Sequence, residues 1–247
     1  KGKVIYNKNF GHHTYSKQRK VSFEDLYDVA SLTKILVTLP LLMELVEHGS
    51  VNLDDRLGDL LPKYKTTNKS DITLKEMLSH FARLKPWIPF YKSTLDSVTN
   101  TPISKFFSSK KSKKFPIQIS QNSFLRKDFT DTIHQNIVDS ELLEEKKYRY
   151  SDLPYYFLKD FLESYYDVPL DALIQQRFYN AIGANMSTYK PLEKFDKSQL
   201  IPTEKDTYFR FDTVHGYVHD MGAAMQNGVG GHAGLFSNAN DVAKLMQ

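Results

Sequence analysis

Residues 27–49, YDVASLTKILVTLPLLMELVEHG, constrain the fold more than any other stretch. Apolar residues dominate it, and Gly49 closes it as a helix C-cap. It therefore reads as a long helix over residues 31–48, buried as the hub of the molecule, with Pro40 expected to kink it. Lys34, Glu44 and Glu47 interrupt it, so it falls short of the roughly 18 apolar residues that a bilayer span needs. Ser31 and Lys34 stand one helical turn apart at its start. A serine becomes a nucleophile only when a neighbour takes its proton, and a lysine stripped of water can be that base. A serine at a helix start also offers its backbone N–H to an oxyanion.

The Ser-x-x-Lys pattern alone is weak. It also occurs at Ser108–Lys111, inside a run of lysines, and at Ser187–Lys190, between a glycine turn and Pro191. Only Ser31 opens a long apolar helix. The plain alternative is that Ser31 caps the helix while Lys34 runs its stem along the apolar surface.

The remaining elements follow from local signals. VIYNKNFG alternates enough to read as a strand. NLDDRLGDLLPKY is a short helical turn stopped by proline. Thr73 and Glu76 form a capping box that opens another helix. Residues 85–147 read as irregular. SDLPYYFLKDFLESYY and PLDALIQQRFYNAIG have helical spacing, with Ser151 or Asp152 as N-cap of the first and Pro154 in its first turn. Residues 191–220 read as loops with extended pieces, NGVGGHAGLFS as a glycine-rich turn and NANDVAKLMQ as the start of a last helix. No repeat of fixed period is present.

Other chemistries are excluded or weak. The chain has no cysteine, which rules out disulfides, zinc-thiolate sites and thiol catalysis. Its net charge of +4 is too mild to imply a polyanionic partner, and the lysines of residues 105–114 read as a solvated loop, so no nucleic acid is expected. Residues 228–233 match G-x-G-x-x-A but lack the preceding strand that a dinucleotide site requires. His215, His219 and Asp220 are a marginal metal set on a stretch unlikely to be helical, and no metal or other cofactor is expected.

Read in order, VASLTK, LDDRLGDLLPKY, ITLKEMLSH, YSD before a helix, PLDALIQQRFYNAIG and GHAGLFSNANDVAKLM resemble the class C β-lactamase and penicillin-binding-protein-like serine hydrolases. The likeness extends over nearly the whole chain and is most marked to the β-lactamase-type module behind family 3 glycoside hydrolases (β-N-acetylglucosaminidases) of Bacteroidetes, where segments similar to LKPWIPFYK and VHD also appear. It implies an α+β fold (an α/β sandwich) of the β-lactamase/transpeptidase type: an antiparallel sheet flanked by helices, plus a helical region. It implies one domain over residues 1–247, with residues 55–185 set against a sheet formed by residues 1–20 and by strands after 205.

The roles implied are Ser31 as the acylated serine, Lys34 as its base and Tyr150 as the tyrosine of the family's Y-x-N motif. Asp152 stands where asparagine is usual, with Ser151 between, and Arg83 stands where glycine is usual, on the rim of the cleft. His232, Ala233 and Gly234 imitate the third motif, Lys/His-Thr/Ser-Gly, and count as substrate-binding candidates. They come too soon after Tyr150, so the motif itself is expected beyond Gln247, and the chain reads as part of a longer protein, of low activity by itself. The resemblance further implies an amide or ester substrate (a cell-wall peptide, an ester or a β-lactam), a glycosidase module in the same chain and a periplasmic or cell-surface location. The alternative from another class is a non-hydrolytic cell-wall-binding module.

Overall fold

The computed structural model describes residues 2–247. One continuous apolar core runs through it, from Leu26 to Phe236. Its centre is the helix that the sequence marks out. A π-helical turn, Lys34–Thr38, leads directly into the α-helix Leu39–Glu47. Leu36, Val37, Leu41, Leu42 and Leu45 are at most 3% exposed. This element packs on Pro154–Tyr166, the longest helix of the molecule. Its burial is one-sided: Leu32, Ile35 and Met43 form a helically spaced apolar stripe on the opposite face, 41–60% exposed.

Pro40 acts differently from the expected kink. A proline has no N–H to give to the carbonyl four residues back, here that of Leu36. The π turn takes up the irregularity, with the Leu39 N–H reaching the Lys34 carbonyl. The hydroxyl of buried Tyr179 donates to the Leu36 carbonyl at 3.0 Å and supplies the missing bond.

The strands are short. Tyr27–Asp28 pairs antiparallel with Phe236–Ser237, and Thr188 bridges Phe236 on the other side. Ser123–Leu125 is the centre of a three-stranded sheet between Phe107–Ser108 and Ile117–Ser120. Glu204–Lys205 pairs with Thr213–Val214. Strands thus occur near and after residue 205.

The strand expected over VIYNKNFG and the sheet expected from residues 1–20 are not found. Residue 1 lies outside the described residues, residues 2–11 carry no strand, and a single bridge, His12 to Lys20, is the ladder of this segment. The reason is physical: no strand lies beside residues 2–10 among the described residues, and Val4, Ile5 and Tyr6 are 65–94% exposed. Alternating apolar residues make a strand only where a neighbour completes the ladder.

Residues 85–147 are also more ordered than their composition implies. They hold the three-stranded sheet and the helix Phe129–Asp139. That helix buries Phe129, Ile133 and Ile137 along one face. At its end the buried Lys69 ammonium donates to the Val138 carbonyl at 2.9 Å and to that of Ser140, two acceptors that the helix cannot satisfy itself.

The capping box is as expected. The Glu76 N–H donates to Thr73 Oγ1 at 3.2 Å, and the Thr73 N–H donates to Glu76 Oε2 at 2.9 Å. The helix that follows, Leu74–Leu78, is only five residues long.

Candidate active site

Ser31 sits on a tight turn between the strand Tyr27–Asp28 and the π turn. Ala30 adopts φ 47°, in the left-handed region, and its carbonyl accepts both the N–H and the hydroxyl of Thr33. The turn then closes with the Lys34 N–H on the Ser31 carbonyl at 3.1 Å. The expected same-face placement of the two side chains therefore arises from a turn rather than an α-helix. Lys34 Nζ lies 2.8 Å from Ser31 Oγ, and Lys34 is 3% exposed. The Ser31 backbone N–H donates to no acceptor among the described residues, as an oxyanion donor requires.

Three oxygens surround Nζ: Ser31 Oγ, the His232 carbonyl at 3.3 Å and Asp152 Oδ1 at 2.6 Å. An ammonium would donate to the first two and pair electrostatically with the third. A neutral amine suits the same set, because it can still donate to the carbonyl while its lone pair receives the serine proton. The shell thus accommodates both protonation states that a general base must pass through. The rings of Tyr150 and Tyr155 close the other side, with centroids 4.9 and 5.3 Å from Nζ.

Tyr150 takes a different position from the one implied. Its ring is against Nζ, it is 41% exposed, and its hydroxyl makes no hydrogen bond to Ser31. Ser151, read as an N-cap, lies two residues too early: the helix is capped at Leu153, whose N–H donates to Ser151 Oγ, while that hydroxyl donates to the Lys85 carbonyl at 2.6 Å. Asp152 is not the cap either, since its side chain goes to Lys34.

His80 is a site residue that the sequence reading missed. Its ring lies 4.5 Å from that of Tyr150, and its Nδ1 accepts the Ser151 N–H at 3.3 Å. Burial, and then the charge of Lys34, hold its imidazole below the ordinary 6.5. The available signal was its place just after the capped helix, in SHFARL.

Arg83 has a backbone partner across the fold. Its guanidinium donates through Nε to the Leu143 carbonyl at 2.6 Å. Its φ is 58°, a conformation that favours glycine, which explains why glycine is usual there in the resembled family.

The glycine-rich segment clasps the hub. The Gly231 carbonyl accepts Thr38 Oγ1 at 2.7 Å, and the Leu235 N–H donates to Thr33 Oγ1 at 3.2 Å. Gly231 is needed for close approach, because a Cβ there would come within 2.4 Å of the Tyr155 carbonyl. Gly234 has φ 117° and packs against the Gly228 carbonyl and the Tyr189 ring, a structural place. His232 is buried, stacked on Tyr156 at 4.7 Å, with Nε2 2.8 Å from Asp220 Oδ1. Burial pushes the Asp220 carboxyl up, but His232, the Ala223 N–H and Lys34 outweigh it and hold it far below the usual carboxylate range. The strand Phe236–Ser237 closes the segment read as a glycine-rich turn, and the last helix, Ala239–Leu245, follows it where expected, capped by Asn238.

The residues weighed as a metal set diverge. His215 bonds the Leu200 carbonyl, His219 pairs with Glu204, and Asp220 holds His232. The other two Ser-x-x-Lys matches are not nucleophile–base pairs: Ser187 bonds Ser237 while Lys190 pairs with Asp171, and Ser108 bonds the Lys110 carbonyl. A cavity of about 110 Å³ lined by Ile119, Leu192, Tyr217 and Phe236 contains none of Ser31, Lys34 or Tyr150. A smaller one, with room for about one water-sized group, is lined by Asp152, Asp220 and His232 and adjoins the Lys34 shell.

Comparison with known proteins places this geometry in context. The family model described as beta-lactamase matches residues 1–247. An N-acetylmuramyl-L-alanine amidase of Bacillus subtilis (strain 168) is 28% identical over 261 residues, covering 98% of this chain and 54% of that protein. A candidate D-alanyl-D-alanine carboxypeptidase of Escherichia coli (strain K12) is 28% identical over 246 residues, covering 92% and 51%. The chain thus spans about half the length of the curated relatives it matches. Among solved structures, an octameric penicillin-binding protein homologue from Pyrococcus abyssi superposes with a TM-score of 0.66 at 19% identity, covering 99% of this chain and 49% of that one. A beta-lactamase/D-alanine carboxypeptidase from Yersinia pestis gives 0.61 at 21%, covering 98% and 58%. At those identities the structures establish the fold, and they place the helices and sheets described above in the β-lactamase/transpeptidase class.

Proposed function

This chain belongs to the beta-lactamase family, and from that premise we propose that it carries the nucleophile half of a serine hydrolase acting on an amide or ester through an acyl-enzyme. The observation that carries this reading is the 2.8 Å contact between Ser31 Oγ and the buried Lys34 Nζ. Ser31 Oγ attacks the carbonyl carbon as its proton passes to the Lys34 amine. The Ser31 N–H donates to the oxygen that becomes negative. The proton on Nζ then leaves with the amine or alcohol, and water repeats the sequence on the acyl-serine.

Tyr150, over Nζ, is the further group placed to carry a proton. The second oxyanion donor is assigned to a Lys/His-Thr/Ser-Gly strand outside residues 1–247. The substrate class is a cell-wall peptide amide, in keeping with the names of the amidase and carboxypeptidase relatives. That substrate supports a periplasmic or cell-surface location. No helix among the described residues is long and apolar enough to cross a membrane. A family 3 glycosidase module in the same protein is part of this proposal and rests on the sequence resemblance alone.

One observation favours a second reading. Asp152 approaches Nζ at 2.6 Å, and a carboxylate there supports an ammonium, as in a binding module that keeps the fold without the chemistry. A fluorophosphonate applied to the full-length protein separates the two. Covalent modification of Ser31, lost in Ser31→Ala, is the expected result. An unreactive Ser31 in folded protein overturns the hydrolase and leaves the binding module.

A further inference from the structure

The small cavity beside Lys34, with room for about one water- or ammonium-sized group, combines two kinds of wall. Trp87, Phe90, Tyr91 and Tyr156 present aromatic surface. Asp152 and Asp220 present carboxylates, and Asp220 is 34% exposed, so it is reachable. Two buried polar atoms on these walls have no hydrogen-bond partner: Asp152 Oδ1 and His232 Nδ1. Lys34 Nζ is close to Asp152 Oδ1, but outside hydrogen-bonding geometry, so that oxygen accepts no bond.

Asp152 Oδ1 is an acceptor, and His232 Nδ1 is one in the tautomer that carries the ring proton on Nε2. A carboxylate oxygen is one by nature. His232 Nε2 faces Asp220 Oδ1 at 2.8 Å, and Asp220 is held ionised, so the N–H of a neutral ring belongs on Nε2 and the lone pair on Nδ1. A buried acceptor left unpaired is costly, and such groups normally have a donor or mark a place where one binds. The charges agree, because two carboxylates face one ammonium. Aromatic faces add attraction for a cation.

We propose that this cavity is a specificity pocket for a positively charged amino group on the substrate, held between Asp152 Oδ1 and His232 Nδ1 and walled by the four aromatic rings. The serine-hydrolase reading enters only in saying that the pocket's occupant belongs to a substrate of Ser31. Asp152 is then a specificity-determining residue: the carboxylate in the usual asparagine place exchanges recognition of a carbonyl for recognition of an ammonium.

Trp87 lines the pocket and is the single tryptophan of this chain, so its emission reports occupancy without any turnover. The full-length protein is titrated with n-butylammonium, n-butanol and butyrate, with Trp87→Phe as the control that assigns the signal. Saturable change with n-butylammonium alone is expected, with affinity reduced about tenfold or more in Asp152→Asn, the scale of losing one charged hydrogen bond. Equal response to butanol or butyrate, no response to the cation, or an affinity indifferent to Asp152→Asn overturns the pocket. Circular dichroism of Asp152→Asn confirms that its fold is kept. Fluorophosphonate labelling of Ser31 in the same samples tests the hydrolase reading separately. Labelling without cation selectivity sinks the pocket alone, and cation binding without labelling sinks the hydrolase alone.

Discussion

Two carboxylates meet two bases in and beside the shell of Lys34, and the two pairs are built differently. Asp220 reaches His232 at 2.8 Å and accepts the Ala223 N–H at 2.7 Å, capping a short helix, while the imidazole is stacked on Tyr156. Asp152 reaches Lys34 at 2.6 Å, yet its Oδ1 accepts no hydrogen bond and its side chain is 24% exposed. The first pair is tied into a cap and a ring stack, as a structural fixture is. The second is held by charge alone, so its partners can part when a proton moves or a ligand arrives. The pair whose partners share no directed bond is the one that touches the nucleophile.

The largest effects test that division from the Ser31 side. Ser31→Ala is expected to abolish hydrolysis of p-nitrophenyl acetate and labelling while the protein still folds, because a hydroxyl at a helix start is worth only about 1 kcal/mol as a cap. Turnover at the wild-type rate would remove Ser31 from the site. Lys34→Arg should be nearly as inactive as Lys34→Ala, each down on the order of 10²–10⁴, since arginine keeps the charge beside Asp152 but cannot accept a proton. If arginine retained about a tenth of the activity, roughly 1.4 kcal/mol of barrier, Lys34 would be electrostatic and the Asp152 pair a fixture like the other.

The next test exchanges the pairs' stabilities. Asp220→Asn should cost about 1–3 kcal/mol in denaturant unfolding, because it strips the charged partner from a buried imidazole. Asp152→Asn should cost under about 1 kcal/mol, as it gives up an ion pair whose oxygen makes no directed bond. The reverse order would show that Asp152 is the structural member.

The smallest effect is pH dependence. His80, His134 and His215 are held below the ordinary 6.5 mainly by burial. The unfolded chain takes up these protons near pH 6.5, but the folded chain only at lower pH. Stability present above 6.5 is therefore lost as pH falls through that value. Asp220 acts further down: its depressed folded value contributes stability above 3.8 that disappears below it. Asp28 opposes this, because burial raises its carboxyl and the fold takes that proton first. Thermal midpoints should decline from pH 8 to 5 and again below about 4. The second decline should be smaller in Asp220→Asn, with Glu44 and Glu76, held low by Arg177 and by Lys146, supplying the remainder.

The same contrast explains what could be read from the sequence. Ser31 with Lys34, the Thr73–Glu76 box and the helix Pro154–Tyr166 lie within a few residues of their own signals. Those signals are local, and they held. The pairing of Asp152 with Lys34 joins positions 118 residues apart, and the Phe107–Leu125 and Tyr27–Ser237 registers are likewise set by the packed whole. No spacing rule reaches so far. Residues 4–10 show the converse: their pattern suits a strand, but a ladder needs a neighbour, and none lies beside them among the described residues. The residue type of Arg83 suggests a charge on the cleft rim, whereas its backbone conformation and its bond to the Leu143 carbonyl come from the packed chain.

The π turn before Pro40 has a consequence for how such a helix can change over generations. One additional residue in a turn advances everything beyond it by about 100° around the axis. The end carrying Ser31 and Lys34 and the shaft carrying Leu41, Leu42 and Leu45 therefore keep separate angular settings, like two dials on one spindle. Tyr179, by filling the place of the N–H that Pro40 lacks, locks the offset between the dials. The shaft can be repacked by inheritance without turning the nucleophile away from its base.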